Sequence, residues 1–293
     1  MTQVTRREAI LAAGLAGAGT LLGPGRAAGT TSDGSPAVRK GRLKQSVSRW
    51  CYGKMPLPEL CAAVADMGLA GIDLLGEDDW PVLTDHGLVC TMGSGGGGSI
   101  AEGLNDPANH DGIVTGLTEM IPRAAKAGLP NVITMVGNRK PGLDDATAQA
   151  NCVAALNRIK EVAEAEGVTV CVELLNSKVD HAGYQGDRTA FVVDVIKAVD
   201  SPRVKALYDI YHMQIMEGDV IRTIRDNAPW IGHYHTGGVP GRHELDDTQE
   251  LNYPAICRAI VETGFTGYLA HEFVPTWDAP LASLRDAVER CDV

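Results

Sequence analysis

Four short apolar runs in this 293-residue chain each stop on a residue that can bind a metal ion. Intervals of 36, 26 and 37 residues separate these residues, and each interval can hold one helix and one strand of a βαβ repeat. The runs end, in order, at Glu173, Asp209, His235 and Glu272. Because parallel strands end at a common edge, the spacing predicts that two Glu, one Asp and one His converge there.

The rest of the chain extends this repeat to eight strand-helix units between about residue 45 and residue 293. These units include a first strand predicted over 46–52 and one long helix predicted over 144–167. This pattern predicts an α/β fold, a (β/α)8 TIM barrel with the four residues at its C-terminal mouth. A doubly wound open sheet is the alternative, but the chain lacks the dinucleotide or phosphate fingerprint expected there. The glycine run 94–99 lacks the Lys-Ser/Thr of a phosphate-binding loop, so we predict a flexible loop.

The first 41 residues differ from the rest. Arg6 and Arg7 precede an apolar run, 12–22, that is rich in Ala and Gly and shorter than the roughly 20 residues of a membrane span. This pattern predicts a twin-arginine signal and linker over 1–41, with the barrel over 42–293. We expect a periplasmic or other extracytoplasmic protein without stable membrane insertion after cleavage. A retained anchor and a chance basic start are the alternatives.

Charge and cysteine usage exclude two further classes. Residues 42–293 contain 21 Lys and Arg against 35 Asp and Glu, a formal charge of −14. Because such a domain repels a phosphate backbone, we expect neither a nucleic acid partner nor endonuclease activity. The seven cysteines include no CxxC pair, so neither a disulfide framework nor a zinc knuckle is predicted.

The four strand-end residues have a chemistry in common. Carboxylates and an imidazole suit a divalent cation such as Mn, Mg, Co or Zn, and we expect Glu173, Asp209, His235 and Glu272 to bind it. Four unrelated polar strand ends are the alternative. Such a cation can act as a Lewis acid on an α-hydroxycarbonyl, and Glu173 and Glu272 are the candidate proton-transfer pair.

Four other residues are candidates for substrate binding or for supporting the ligands. His212 and Asn176 each follow a strand end by three residues, although a His that only caps a helix is the alternative for His212. Arg242 follows a flexible segment and can hold an anionic or polyhydroxyl group, unless it is a solvated surface arginine. His233 shares strand parity with His235 and is expected beneath it.

Several motifs together resemble hydroxypyruvate isomerase and the wider group of xylose isomerase-like TIM barrels. They are Glu173-Leu-Leu-Asn176, Tyr208-Asp-Ile-Tyr-His-Met-Gln214, His233-Tyr-His-Thr-Gly-Gly-Val-Pro-Gly-Arg-His-Glu244, Leu251-Asn-Tyr-Pro254 and Ala270-His-Glu-Phe273. The resemblance implies interconversion of hydroxypyruvate and 2-hydroxy-3-oxopropanoate, with Glu173 and Glu272 as acid and base. It also implies a homo-oligomer.

One position resembles a different branch of the same group. Hydroxypyruvate isomerases often have Gln where this chain has His235, whereas ketose epimerases have a metal-binding His. A ketose 3-epimerase, or an enzyme of 3-keto sugars or glycosides, is therefore the second hypothesis. A catalytically dead barrel that binds sugars is the third.

Overall fold

Residues 35–293 are described by the computed structural model, and their eight parallel strands pair in sequence order to close a barrel. The strands are β1 Lys44–Ser48, β2 Gly71–Leu75, β3 Val89–Gly93, β4 Asn131–Thr134, β5 Thr169–Glu173, β6 Val204–Asp209, β7 Ile231–Thr236 and β8 Tyr268–His271. The (β/α)8 prediction is confirmed.

Ten helices cover the outside of the barrel in this part of the chain. They are α1 Leu57–Met67, α2 Trp80–Asp85, α3 His110–Lys126, α4 Asp145–Asn157, α5 Lys160–Glu166, α6 Thr189–Val199, α7 Ile210–Met216, α8 Val220–Asn227, α9 Tyr253–Glu262 and α10 Pro280–Cys291. Four short 3-10 turns join them, at Arg49–Tyr52, Glu77–Asp79, Pro107–Asn109 and Ala228–Trp230. Among the described residues, no helix has the length and apolar character to cross a membrane.

Side chains alternate between two apolar layers. Residues that face the helices form the large core, while Met92, Ile133, Cys171 and Leu207 form a smaller cluster. Cys171 and Leu207 each lie two positions before a strand-end acid, so those acids share their face. Parallel register pairs Asp209 with His235 across β6 and β7. The alternation therefore aims the strand-end side chains into one mouth.

Three local predictions need correction. The continuous helix expected over 144–167 is two helices, because i→i−3 hydrogen bonds at Arg158 and Ile159 tighten the chain between α4 and α5. The first strand ends at Ser48 and turns at once into a 3-10 segment, which moves Trp50 out of the sheet. Helix α7 starts directly after Asp209, where the sequence indicated only a strand end.

The predicted twin-arginine motif and the apolar run after it lie outside the described residues. The end of the predicted linker lies against the barrel. Ala37 is buried, and the backbone N–H groups of Arg39, Lys40 and Gly41 donate to the Asp292 carboxylate at 2.7–2.8 Å. The seven cysteines are free thiols, as expected from their spacing.

Candidate active site

The four strand-end residues meet at the carboxyl end of the barrel, and we call them the mouth cluster. Glu173 ends β5, Asp209 ends β6, His235 lies in β7 and Glu272 immediately follows β8. One ligand atom from each lies within 4.8 Å of the other three. The His235 Nδ1 atom is 2.6 Å from Glu272 Oε2, 3.4 Å from Glu173 Oε1 and 3.9 Å from Asp209 Oδ2.

This arrangement fits a divalent cation. Oxygen and nitrogen ligands lie roughly 2.0–2.6 Å from such an ion, so neighbouring ligand atoms stand about as far apart as these do. The His235 Nδ1 atom is buried and faces oxygen atoms of all three carboxylates. Burial lowers the pKa of His235, but Glu272, Asp73 and Glu173 together raise that pKa well above its ordinary value. The carboxylates therefore attract positive charge to the point that Nδ1 faces.

A second group lies beneath the first, and we call Asp73, His233 and His235 the inner cluster. The Asp73 carboxylate in β2 receives His233 Nε2 at 2.6 Å and His235 Nε2 at 3.2 Å. It also accepts hydrogen bonds from the hydroxyls of Ser46 and Thr91. Burial opposes ionisation of Asp73, but the two histidines outweigh burial and hold its pKa below the ordinary value.

Asp73 thereby sets the tautomer of His235. When Nε2–H donates to Asp73, the lone pair of Nδ1 is directed at the mouth cluster. His233 lies one layer deeper, bonded to the same carboxylate, and is fully buried. His233 therefore lies beneath His235, as strand parity predicted. It does not line the cavity at the mouth.

Arg242 lies directly over the mouth cluster. Its Nη2 atom is 2.7 Å from Glu272 Oε2 and 3.4 Å from Asp209 Oδ2. The guanidinium also stacks on the Trp50 and Tyr211 rings, with 5.1 and 5.3 Å to their centroids. Its backbone is left-handed, with φ of 58°, a strained conformation typical of functional loops. Arg242 is therefore held in the site rather than solvated.

The electrostatics of the two acids beside Arg242 differ. Burial raises the pKa of Asp209 to about 7, with the Arg242 charge opposing that rise. Burial acts in the same direction on Glu272, but the charges of His235 and Arg242 outweigh it and hold the pKa of Glu272 well below its ordinary value. The Trp50 indole N–H adds a 2.6 Å hydrogen bond to Glu272 Oε1.

His212 and Asn176 are behind the mouth cluster. Asn176 Nδ2 donates to His212 Nδ1 at 2.7 Å, and the backbone N–H of His212 donates to Asp209 Oδ1 at 3.0 Å. Burial lowers the pKa of His212 well below its ordinary value, which favours the neutral ring. Asp209 is thus both a strand end and the N-cap of α7. His212 and Asn176 orient Asp209 and do not line the mouth cavity.

A cavity of about 410 Å³ opens above the cluster, and we call it the mouth cavity. Its wall includes Glu173, Glu272, Arg242, Trp50 and His181. The 94–99 glycine run forms a loop, as predicted, and lines another side of the cavity; its flexibility stays a prediction. That loop is closely packed, because a Cβ on Gly97 would lie 2.0 Å from the Ile133 carbonyl oxygen.

Three residues of the site were not singled out from the sequence: Asp73, Trp50 and His181. Only Asp73 could have been found from the sequence, because a charged residue in an apolar run such as 71–75 is rarely buried without partners. Trp50 was assigned to a strand, and His181 lies in an irregular loop.

The matching family agrees with this fold and site. A model of the xylose isomerase-like TIM barrel family matches residues 61–291. The chain belongs to the xylose isomerase-like TIM barrel family. The resemblance drawn from the motifs is confirmed at this level.

Curated relatives within the family are named isomerases. A 2-oxo-tetronate isomerase of Cupriavidus necator is 34% identical over 152 residues, which span 52% of this chain but only 58% of that protein. A putative hydroxypyruvate isomerase of Xenopus laevis is 24% identical over 272 residues, covering 86% of this chain and 97% of the relative. The expectation that this is an enzyme of an isomerase family is confirmed by these relatives.

A solved structure shares the fold. The AP endonuclease, family 2, of Brucella melitensis superposes with a TM-score of 0.72 at 23% identity, covering 83% of this chain and 97% of that one. At this identity the likeness concerns the barrel alone.

Proposed function

We propose that this chain is a metal-assisted isomerase that moves a proton across an α-hydroxycarbonyl through an enediolate. The observation that carries the proposal is that Glu173 and Glu272, from strands on different sides of the barrel, line one cavity beside the four-atom mouth cluster. A cluster that only stored a metal ion would not need two carboxylates open to a substrate cavity.

Glu173, Asp209, His235 and Glu272 would hold the cation, with His235 oriented by Asp73. A bound divalent cation supplies Lewis acidity to the carbonyl and hydroxyl oxygens of the substrate. One glutamate takes the proton from the carbon that bears the hydroxyl, and a proton is returned to the former carbonyl carbon. The hydroxyl proton passes to the former carbonyl oxygen, so the product is an isomer and no oxidant is required.

Arg242 and the neighbouring indole position the reacting groups. The guanidinium is fixed by Glu272, and its position in the cavity wall lets it donate to an anionic or hydroxylated substrate end. The Trp50 N–H fixes the other oxygen of Glu272. Together they hold Glu272 in one orientation, which a proton-transfer group requires.

Hydroxypyruvate is the first substrate to test, with 2-hydroxy-3-oxopropanoate as product. The names of the two relatives and a cationic residue in the cavity wall support a hydroxylated 2-oxo acid. Proton NMR in deuterated water, with Mn²⁺-loaded and then EDTA-treated protein, follows both product and loss of the carbon-bound proton. We expect exchange. Metal-replete protein that gives neither product nor exchange would remove hydroxypyruvate as substrate.

A ketose 3-epimerase, or an enzyme of 3-keto sugars or glycosides, is the second candidate. His235 supports it, since its Nδ1 completes the mouth cluster in the manner expected of the epimerases. A deuterium-exchange screen of free ketoses and 3-keto glycosides separates this candidate from the first. Ligand binding without any exchange would instead favour the sugar-binding barrel.

A further inference from the structure

The exposed large hydrophobic side chains of residues 35–293 share one location. They are Trp50 (45% exposed), Ile100 (37%), Val179 (67%) and Val274 (38%). Each lies on a loop that follows the carboxyl end of a strand, after β1, β3, β5 and β8. Single exposed hydrophobics are ordinary, but Trp50, Ile100 and Val274 line two cavities at this end of the barrel, which marks a binding surface.

A second cavity, of about 620 Å³, adjoins the mouth cavity, and we call it the outer cavity. It lies between the loop after β1 and the loop after β8, and Trp50 lines both cavities. The hydrogen bond from the Trp50 indole to Glu272 holds this partition in place. One ligand can therefore contact Glu272 on one side of the indole and the outer cavity on the other.

The residues that line the outer cavity suit a sugar ring or an aryl ring. Met55, Pro275 and the half-buried Trp277 provide flat apolar surface, while Lys54 and Glu59 place one cation and one anion at its edge. Aromatic and proline surfaces pack well against the apolar face of a sugar or aryl ring. The opposite charges at the edge can bond hydroxyl groups and give no net attraction for a phosphate or carboxylate.

We infer that the site accepts a hydroxycarbonyl sugar that carries a second ring, with the reacting carbons beside Glu173 and Glu272 and the second ring in the outer cavity. This inference rests on the proton-transfer chemistry proposed above and names its substrate class. A three-carbon acid fills only the region near the mouth cluster. It leaves Trp277 and the outer cavity without a contact.

The test measures binding of three ligands to Mn²⁺-loaded protein by calorimetry. The ligands are the 3-keto derivatives of methyl glucoside, of 4-nitrophenyl glucoside and of cellobiose, which carry no second ring, an aryl ring and a sugar ring respectively. We expect at least one ringed ligand to bind with a Kd about tenfold or more below that of the methyl glucoside. Trp277→Ala should remove most of this preference and leave the methyl glucoside Kd unchanged.

Two variants keep the result interpretable. Trp277→Phe retains a ring and should preserve most of the preference even where Trp277→Ala folds poorly. Trp230→Ala removes a half-buried tryptophan at the opposite end of the barrel, next to Lys197, and should preserve all of it. Equal Kd values for the three ligands, or an equal loss in Trp230→Ala, would overturn the inference.

Deuterium exchange in the same samples, and in a parallel sample with hydroxypyruvate, tests the chemistry separately. Ring preference without exchange of any carbon-bound proton would support the outer cavity as a subsite and reject the proposed isomerase. Exchange with no ring preference would retain the isomerase and reject the subsite.

Discussion

The mouth cluster and the inner cluster share His235, yet their carboxylates are in opposite situations. Asp73 receives the two imidazoles and two hydroxyls, and the histidines hold its pKa low. In the mouth cluster, three carboxylates face the single His235 Nδ1 atom, and burial raises the pKa of Asp209 to about 7.

The difference separates a structural group from a binding site made of the same residue types. A buried carboxylate that accepts four hydrogen bonds is satisfied by the protein and gains little from a cation. The three carboxylates of the mouth cluster lie side by side around one imidazole nitrogen, and like charges buried together are costly unless positive charge joins them. On this criterion we propose that the inner cluster orients His235 and that the mouth cluster is the metal-binding site.

The largest expected effect comes from removing the proton-transfer groups while keeping ligand oxygens. Glu173→Gln and Glu272→Gln should each lower turnover by about 10²–10⁴-fold, since an amide cannot act as a base. The fold should be unaffected, because strand-end residues contribute little to the core. Exchange rates in deuterated water, circular dichroism and metal content measure the three properties.

Lys205→Ala is the matched control for these variants. Lys205 bonds the Pro229 carbonyl at the other end of the barrel, away from both clusters. Its turnover should equal that of the unaltered protein. If a metal-replete Glu→Gln variant also turned over at a normal rate, that glutamate would have no part in the mechanism.

The sequence was sufficient to predict the mouth cluster, because its members lie at the ends of consecutive strands. Parity and repeat length place Glu173, Asp209, His235 and Glu272 at one edge without any knowledge of the loops. Asp73 could not be paired in advance, since its contact with His233 crosses 160 residues and requires the closed barrel. Helix α7 was also missed, because a short apolar run is compatible with the end of a strand as well as with a helix.

Breaking the inner cluster should have an intermediate effect on metal binding and stability. Asp73→Asn removes the charge that both histidines contact, so His235 loses its fixed tautomer. We expect metal affinity to fall by about 10–100-fold and stability to fall by about 1–3 kcal/mol. Metal titration and denaturant unfolding give the two values.

Ser46→Ala sharpens the same comparison. The Ser46 hydroxyl donates to Asp73 at 2.9 Å but does not contact either histidine. The Ser46→Ala substitution should lower stability and leave metal affinity nearly unchanged. A loss of affinity as large as that of Asp73→Asn would mean that general loosening of the barrel, and not the tautomer of His235, governs binding.

The smallest effect is expected at Glu244, a buried carboxylate outside both clusters. Glu244 accepts from the backbone N–H and the hydroxyl of Thr276 at 2.6 and 2.7 Å. Burial opposes ionisation, but these bonds and one from Ser283 outweigh it and hold the pKa of Glu244 below its ordinary value of 4.5. The stability that ionised Glu244 contributes is therefore present above pH 4.5 and is lost as pH falls through the lower folded-state pKa.

Glu244→Gln should lower stability by about 1 kcal/mol at pH 7. The difference from the unaltered protein should shrink in acid, as measured by unfolding at several pH values. Metal affinity should not change, because Glu244 bonds Thr276 and Ser283 and belongs to neither cluster. A difference in stability that did not change with pH would show that the charge of Glu244 does not hold the segment around Thr276.

The most direct test of the account is a calorimetric titration of metal-stripped protein with Mn²⁺, in parallel with Asp209→Asn and His235→Ala. Our account predicts one ion per chain, greatly weakened binding in both variants, and partial recovery of turnover when Mn²⁺ is in large excess. Absence of binding in the unaltered protein, or an ion that binds equally well in both variants, would contradict it.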